Sequence, residues 1–489
     1  MVACAIISVN GGSILKNFLS NKKPIVWTIS GSDSGGGAGI QADLLTFQDF
    51  AVHGCTVITA LCAQNSFAVG YTIAAERKQV VAQINALDSD LPAKAIKLGM
   101  LLDVDTIETV AKYLQDYDGT VICDPMVYNA AGDRLIDEAT ESCLREKLLP
   151  LVDVLAVDVK QAARLTAVAI ERPDDVTTAA EKLLALGVKT VIVGAALFAE
   201  EPESNFSYWL NDSACGWLVN EDIDTIHHEG SSCAFTSAIA AAIALDYSLE
   251  DALVIAHAYV IQGLRFAEQI GSGPGSVGHF GWPSSIDDLP EWFMAPLNLS
   301  VRESFPVCDM DWGVCPRVTS LEALQQVLVE GLHCVRIALP DEAGSQLHEA
   351  AALCEENNVQ LIVEQHWSAA IASEAYGVHL SLAALERLSS SEIDTLLDSG
   401  LVLGVSVNNY CDIARAHGWQ VSYVEVDHVL AEQGVALEQL EEWVNLLDEH
   451  YRVVAKGHIN SDNIAEVMAT GVDGVVMSSD ELEDVTAGL

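Results

Sequence analysis

The stretch "IVWTISGSDSGGGAGIQADLLTFQDF", Ile25–Phe50, reads as a strand, a glycine loop and a helix in immediate succession. Its opening is a short run of buried-strand type, and the apolar residues of "IQADLLTFQDF" recur at helical spacing. Between them, Ile29–Asp43 packs five glycines and two acids into fifteen residues. Glycine permits positive φ and close approach of backbone to a ligand, and amides at the start of the following helix face whatever the loop encloses. The spacing is neither the Walker form nor a dinucleotide fingerprint, and Asp33 and Asp43 would repel a bare anion. A small polar heterocycle suits the acids better, since a carboxylate accepts hydrogen bonds from an amino group. The alternative is a merely tight turn.

The same rhythm continues to about Phe280. Runs such as "TVITAL", "AKAIKLGML", "TVICDPMV", "VDVLAVD" and "TVIVGAA" alternate with amphipathic patterns such as "TIETVAKYLQDY" and "VTTAAEKLLALGV". Strands without strict polar alternation, separated by helices, predict a parallel sheet covered on both faces. Residues 25–283 are thus expected to form a doubly wound α/β domain, after a leader at 1–24. The three prolines and polar cluster of "GWPSSIDDLPEWFMAPLNLS" predict a linker over 284–300. Beyond it "HCVRIAL", "VQLIVEQ", "YGVHLS", "LVLGVSV", "VSYVEVD", "YRVVAKGHI" and "VDGVVMSS" recur with helices between them. These units fit a (β/α)8 TIM barrel over 301–489, with an open α/β sheet as the alternative.

Composition narrows the function classes. Half of the residues are apolar and 19% are charged, which excludes a disordered chain. With 24 Lys+Arg against 70 Asp+Glu, the net charge of −46 makes nucleic acid and anionic membrane unexpected partners. A soluble acidic surface or salt adaptation accounts for such acidity. The twelve cysteines form no CxxC pair and no His/Cys cluster at zinc spacing, so they read as buried thiols in a reducing compartment. The leader lacks basic residues before its apolar run and is too short to cross a bilayer, as is every later segment. A cytoplasmic protein is expected.

"ISGSDSGGGAGIQADLLTF", "TVITALCAQNS", "IKLGML", "DPMVYNAAGD", "LLPLVDVLAVD" and "GSSCAFTSAIAAAIA" stand in one order and spacing. As a set they resemble the hydroxymethylpyrimidine (phosphate) kinases of thiamine biosynthesis, within the ribokinase-like superfamily. The resemblance implies an ATP- and Mg2+-dependent kinase, commonly a homodimer. It implies that Gly31, Asp43, Gln64 and Met100 line the pyrimidine pocket with Ala38 and Cys62 close by, and that Asp43 and Gln64 read the ring's polar edge. It also implies that Gly230, Ser231, Ser232 and Cys233 form the loop that stabilises the transferring phosphoryl group, with Cys233 near the substrate hydroxyl. A thiol at a helix N-terminus is expected to have a lowered pKa.

Departures from the family pattern cluster on the nucleotide side. Ser232 stands where the anion loop normally has Gly. The family's Asn-x-x-Glu is "DVKQ", which puts Asp158 and Gln161 in those places, with Lys160 a possible substitute charge. The Lys-Gly-Gly of the nucleotide site is "GAA", Gly194–Ala196, while Asp124 remains to hold metal with Asp158. Phosphoryl transfer depends on positioning and charge neutralisation, so these losses favour, as the rival reading, a non-catalytic pyrimidine-binding sensor or partner protein.

The C-terminal half resembles thiamine-phosphate synthase through "YGVHLS", "GVSVNN" and "VVAKGHINSDNIAEVMATGVDGVVMSSD". The resemblance implies phosphate binding at Gly457, Ser478 and Ser479. That family's basic Gln-x-Arg-x-Lys clamp is "RIALP", Arg336–Pro340, and its Asn-Asp-Arg is Glu364, Gln365 and His366. A structural or interaction module is therefore expected over an active synthase, with His379 as a strand-end packing residue.

Overall fold

The computed structural model describes residues 23–128, 134–198, 201–294, 304–328, 332–340, 344–447 and 450–486. Most of the leader, up to residue 22, lies outside these. Among the described residues the chain divides into two compact units, 23–283 with 287–294, and 304–486 with 284–286.

The first unit is built on ten strands: β1 (Ile25–Asp33), β2 (His53–Gln64), β3 (Val69–Ala74), β4 (Ala95–Leu98), β5 (Thr120–Cys123), β6 (Val154–Asp158), β7 (Thr190–Phe198), β8 (Glu201–Asn211), β9 (Cys215–Glu221) and β10 (Glu291–Met294). Their order is β10-β9-β8-β7-β6-β5-β4-β1-β2-β3. The six strands from β2 to β7 through β1 run parallel, and β3 and β8–β10 add antiparallel edges. Val26, Trp27 and Ile29 of β1 are fully buried, as a central strand covered on both faces requires. The chain leaves β1 toward β2 on one side and returns to β4 on the other, so the carboxyl ends of β1 and β4 flank the switch point where α/β sheets bind ligands.

Helices α1 (Gly39–Asp49), α2 (Arg77–Asp88), α3 (Val104–Leu114), α4 (Glu138–Cys143), α5 (Val159–Thr166), α6 (Pro173–Leu184), α7 (Ser231–Ala244) and α8 (Leu249–Arg265) complete this unit. Helix α7 is buried nearly all round; its alanines let it lie close to the sheet and to α1 and α8. One expectation changes here. Within the segment read as a linker, Glu291–Met294 forms β10 and pairs with β9. Trp292, whose ring centroid lies 5.3 Å from that of Trp209, anchors it.

The second unit is a closed barrel of eight parallel strands in sequence order: β11 (Gly313–Val318), β12 (Cys334–Ile337), β13 (Gln360–Glu364), β14 (Gly377–Ser381), β15 (Val402–Val407), β16 (Tyr423–Val429), β17 (Arg452–Gly457) and β18 (Gly474–Ser478). Closure by pairing of β11 with β18 excludes the open sheet. Trp312, Cys315, Cys334, Ile362, Val402, Tyr423, Val454 and Val476 fill one layer of its core.

Candidate active site

The glycine loop is organised by its own acid. The nearly buried Asp33 carboxylate accepts hydrogen bonds from the amides of Gly35 at 2.8 Å and of Gly37 and Ala38 at 3.0 Å. These amides therefore turn inward on Asp33 and form no phosphate cradle. Gly39 has φ +58°, and a Cβ there would lie 2.4 Å from the carbonyl oxygen of Gly31. The loop thus folds back tightly onto the end of β1.

Gly31, Ala60, Cys62 and Met100 converge beside this loop. A Cβ on Gly31 would meet Met100 Sδ at 3.2 Å and Ala60 Cβ at 3.7 Å, and Cys62 Sγ lies 3.9 Å from Met100 Sδ. This is a small, soft, apolar floor at the switch point. Gln64 lies two residues beyond Cys62 on β2, hence on the same face, and its Nε2 donates to Glu229 Oε1 at 2.5 Å. Burial raises the Glu229 carboxyl, while the Gln64 bond and His228 pull it down.

Asp43 is a correction to the sequence reading. It is fully buried and accepts from Lys97 Nζ at 2.8 and 3.0 Å, Thr28 Oγ1 at 2.5 Å and Ser237 Oγ at 2.8 Å. Its position in α1 points it into the sheet, and the chain's own donors engage both oxygens, so it does not line the pocket. Burial pulls Lys97 down, but Asp43, Cys233 and Asp124 outweigh this and hold it charged. Lys97 itself was missed. The signal was a lone cation inside the wholly buried strand "AIKL".

Glycine is required again where the second half of the site begins. Gly230 caps α7 at φ +80°, and a Cβ there would lie 2.1 Å from the carbonyl oxygen of Gly37. The glycine loop and the N-terminus of α7 therefore touch backbone to backbone. Ser231, Ser232 and Cys233 form the first turn of α7, where main-chain amides have no intrahelical partner. The Cys233 thiol is pushed up to about 11, not lowered: burial dominates, Lys97 opposes it, Asp43 and Asp124 add to it, and a bond with the Gly39 amide opposes it weakly. The helix dipole does not offset the loss of solvent.

Asp124 follows β5 and is 1% exposed. Ser232 Oγ donates to its Oδ2, whereas Oδ1 is buried without a hydrogen-bond partner. Burial raises its carboxyl; Ser232 and Lys97 oppose this, and Asp158 adds to it. Asp158 is exposed and caps α5, accepting from the amide of Gln161 at 2.6 Å. Gly194 pairs with Asp158 across β6 and β7; the side chains of residues 195 and 196 lie outside the description. Lys160 is exposed. Gln161 is corrected: it is buried, and its Oε1 accepts from the Val127 amide at 3.3 Å, so it clamps α5 to the loop after β5 instead of facing a nucleotide. Among the described residues no group of three or more His, Cys, Asp and Glu is arranged to hold a metal ion. The orphaned Asp124 oxygen and exposed Asp158 nevertheless fit Mg2+, which keeps waters and binds through one or two carboxylates plus substrate phosphates.

The barrel mouth holds a cavity of about 410 Å3 lined by Arg336, Glu364, His379, Arg415, Asp427 and Lys456, among others. Every cation is compensated: Arg336 by Glu425 at 2.5 Å, Arg415 by Glu386 at 2.5 Å and Lys456 by Asp427 at 2.9 Å. Glu364 is held by Arg317 at 2.6 and 3.0 Å. His379 is buried against Tyr423 and Ser406 and lies well below the usual imidazole range, through burial and the Arg336 charge.

Comparison with known proteins follows this division. A family model described as phosphomethylpyrimidine kinase matches residues 33–278, and one described as thiamine monophosphate synthase matches 307–480. A hydroxymethylpyrimidine/phosphomethylpyrimidine kinase of Synechococcus elongatus is 39% identical over 257 residues, covering 53% of this chain and 97% of that protein. A probable chloroplastic thiamine biosynthetic bifunctional enzyme of Oryza sativa is 27% identical over 471 residues, covering 92% and 83%. A thiamine biosynthesis bifunctional protein of Geobacter sulfurreducens is 35% identical over 256 residues, covering 52% of each. Among solved structures, pyridoxal kinase from Staphylococcus aureus is 21% identical, covers 55% of this chain and 98% of its own, and has a TM-score of 0.50, a likeness of fold alone.

Proposed function

The chain belongs to the phosphomethylpyrimidine kinase family, whose model matches half of it, and we propose that its first unit phosphorylates 4-amino-5-hydroxymethyl-2-methylpyrimidine and its monophosphate with ATP. The observation that carries this is the direct contact between Gly37 and Gly230. It joins the ring side of the site, Gly31, Ala38, Cys62, Gln64 and Met100, to the phosphoryl side, Gly230–Cys233 and Asp124. Gln64 reads the polar edge of the ring over the apolar floor. The first-turn amides of α7 and its dipole face the group that gains charge in transfer. Cys233, a neutral thiol at neutral pH, positions the substrate hydroxyl while Lys97 fixes the local charge. That hydroxyl attacks the γ-phosphorus of ATP as the bond to the β-phosphate oxygen breaks and ADP leaves, and its proton passes to a phosphoryl oxygen or water. Lys160, Asp158 and Gly194 form the nucleotide side. Mg2+ held by Asp124 and Asp158 supplies charge neutralisation at the phosphates when bound.

ADP release from MgATP measures this. We expect it to depend on the pyrimidine and to fall about 10²-fold or more in Cys233→Ala. Tight pyrimidine binding with no turnover would leave a binding protein in place of a kinase.

We read the protein as a cytoplasmic homodimer. The eleven described cysteines are all free thiols, which supports the first part; no described helix is long and apolar enough to cross a membrane. The edge strand β3 supports the second. Leu61, Val69, Tyr71 and Ile73 are each at least half exposed, and residues 54–75 carry no charge in a chain of net charge −46. A second copy meets least repulsion there, and a two-fold axis makes the patch self-complementary. Tyr71→Glu should halve the mass measured by light scattering, and an unchanged mass would refute this interface. For the barrel, each described Lys or Arg lining the mouth cavity is already paired with a carboxylate, and we read it as a module without synthase activity.

A further inference from the structure

Gln64 ends β2 and Glu229 directly precedes the α7 cap, 165 residues apart, yet the two side chains meet at 2.5 Å. Glu229 is fixed from both sides. Its backbone pairs with Gly275 and Val277, through Glu229 N to Gly275 O at 3.4 Å and Val277 N to Glu229 O at 2.9 Å. Its carboxyl carbon lies only 3.6 Å from where a Cβ on Gly37 would stand. An ionised carboxylate only accepts, so the Gln64 atom facing it has to be the amide nitrogen. A carboxamide otherwise turns by half a rotation with almost no change of shape.

The geometry points to Glu229 as a positioning residue that sets substrate specificity by locking the Gln64 carboxamide in the one orientation that matches an aminopyrimidine and mismatches its oxo counterpart. This rests on the proposal above that Gln64 reads the ring. With one Nε2 hydrogen committed to Glu229, Gln64 presents its carbonyl oxygen and its second N–H side by side. An aminopyrimidine offers the complement, an amino N–H next to a ring-nitrogen lone pair. The 4-oxo analogue carries the reverse pattern, a carbonyl next to a ring N–H. To accept it, Gln64 has to turn and set its carbonyl oxygen against the Glu229 carboxylate, which forfeits a charge-assisted bond and opposes two acceptors. Sites that reject a ligand by leaving polar groups unpaired discriminate far more strongly than apolar pockets do.

Calorimetric titration of the full-length protein with 4-amino-5-hydroxymethyl-2-methylpyrimidine and with its 4-oxo analogue tests this without requiring turnover. Wild type should favour the amine by about 10²-fold or more. In Glu229→Gln, whose amide offers either a donor or an acceptor, that ratio should fall at least about tenfold, mainly through tighter binding of the oxo compound. Glu229→Ala, which removes the anchor, should give the same collapse, and an unshifted thermal transition shows which variant is folded. A folded variant that keeps the wild-type ratio overturns the lock alone. A wild type that binds neither pyrimidine overturns the reading of Gln64, and the lock with it.

Discussion

Lys97→Met should destabilise the first unit by about 3–5 kcal/mol, the cost of stranding one member of a buried ion pair. Lys97 and Asp43 are both 0% exposed, 2.8 Å apart. Without the ammonium, the Asp43 carboxylate keeps only the hydroxyls of Thr28 and Ser237, two neutral donors that do not offset its lost hydration. The pair ties α1 and α7 to the sheet beneath the site, so the loss is global to this unit. In scanning calorimetry of the whole chain, one transition should fall by roughly 10 °C, given 2–4 °C per kcal/mol for a unit of this size. Lys97→Met with Asp43→Leu should recover more than half of the loss, because an apolar pair replaces a buried ion pair at little cost. Recovery stops short because Thr28 and Ser237 then lose their acceptor. A double variant as damaged as the sum of its singles would show that the pair does not act as a unit.

The pair also shows what the sequence discloses and what it hides. The strand, glycine loop and helix of Ile25–Phe50 were legible, because apolar run, turn chemistry and helical spacing are local signals. The role of Asp43 was not. An acid in the glycine-loop stretch, together with the family resemblance, suggested a ligand, whereas only the docked helix shows its face turned toward Lys97 in β4. A cation inside the buried run "AIKL" implies a buried anion somewhere, but not which one. The contact of Gln64 with Glu229 has no local signature, since 165 residues separate them. Asp33 looked like part of an acidic ligand surface and is instead the internal acceptor that shapes the loop. At Cys233 the helix terminus was readable and its desolvation was not. The three prolines around residue 290 suggested a linker, and the strand Glu291–Met294 exists because Trp292 finds Trp209, a partner beyond any local window. In the barrel the repeating period gave the closed sheet, while the compensation of each cation at its mouth depends on side chains from different strands.

Asp124→Asn should lower turnover by about 10²-fold or more, the scale of removing one group that stabilises transition-state charge, with little effect on KM for the pyrimidine. Asp124 bonds to Ser232 in the first turn of α7, on the phosphoryl half of the site, and its buried Oδ1 has no hydrogen-bond partner and is available to Mg2+. An amide there still accepts from Ser232 but supplies no charge. The pH dependence carries its own sign. Burial raises the Asp124 carboxyl above its ordinary value, so the ionised form that neutralises charge is lost as pH falls through that raised pKa. Wild-type kcat/KM for MgATP, which reports the free enzyme, should therefore show an acid limb above the usual carboxylate range, and the Asn variant should lack it. Linkage gives the matching stability effect. A carboxyl whose folded pKa exceeds its unfolded one destabilises the fold once pH rises past the unfolded value, so removing the charge should leave the protein equally stable or more stable at neutral pH. Loss of activity together with unchanged or increased stability is the signature of a group kept for chemistry. Turnover within a few-fold of wild type, or an unchanged acid limb, would remove Asp124 from the reaction.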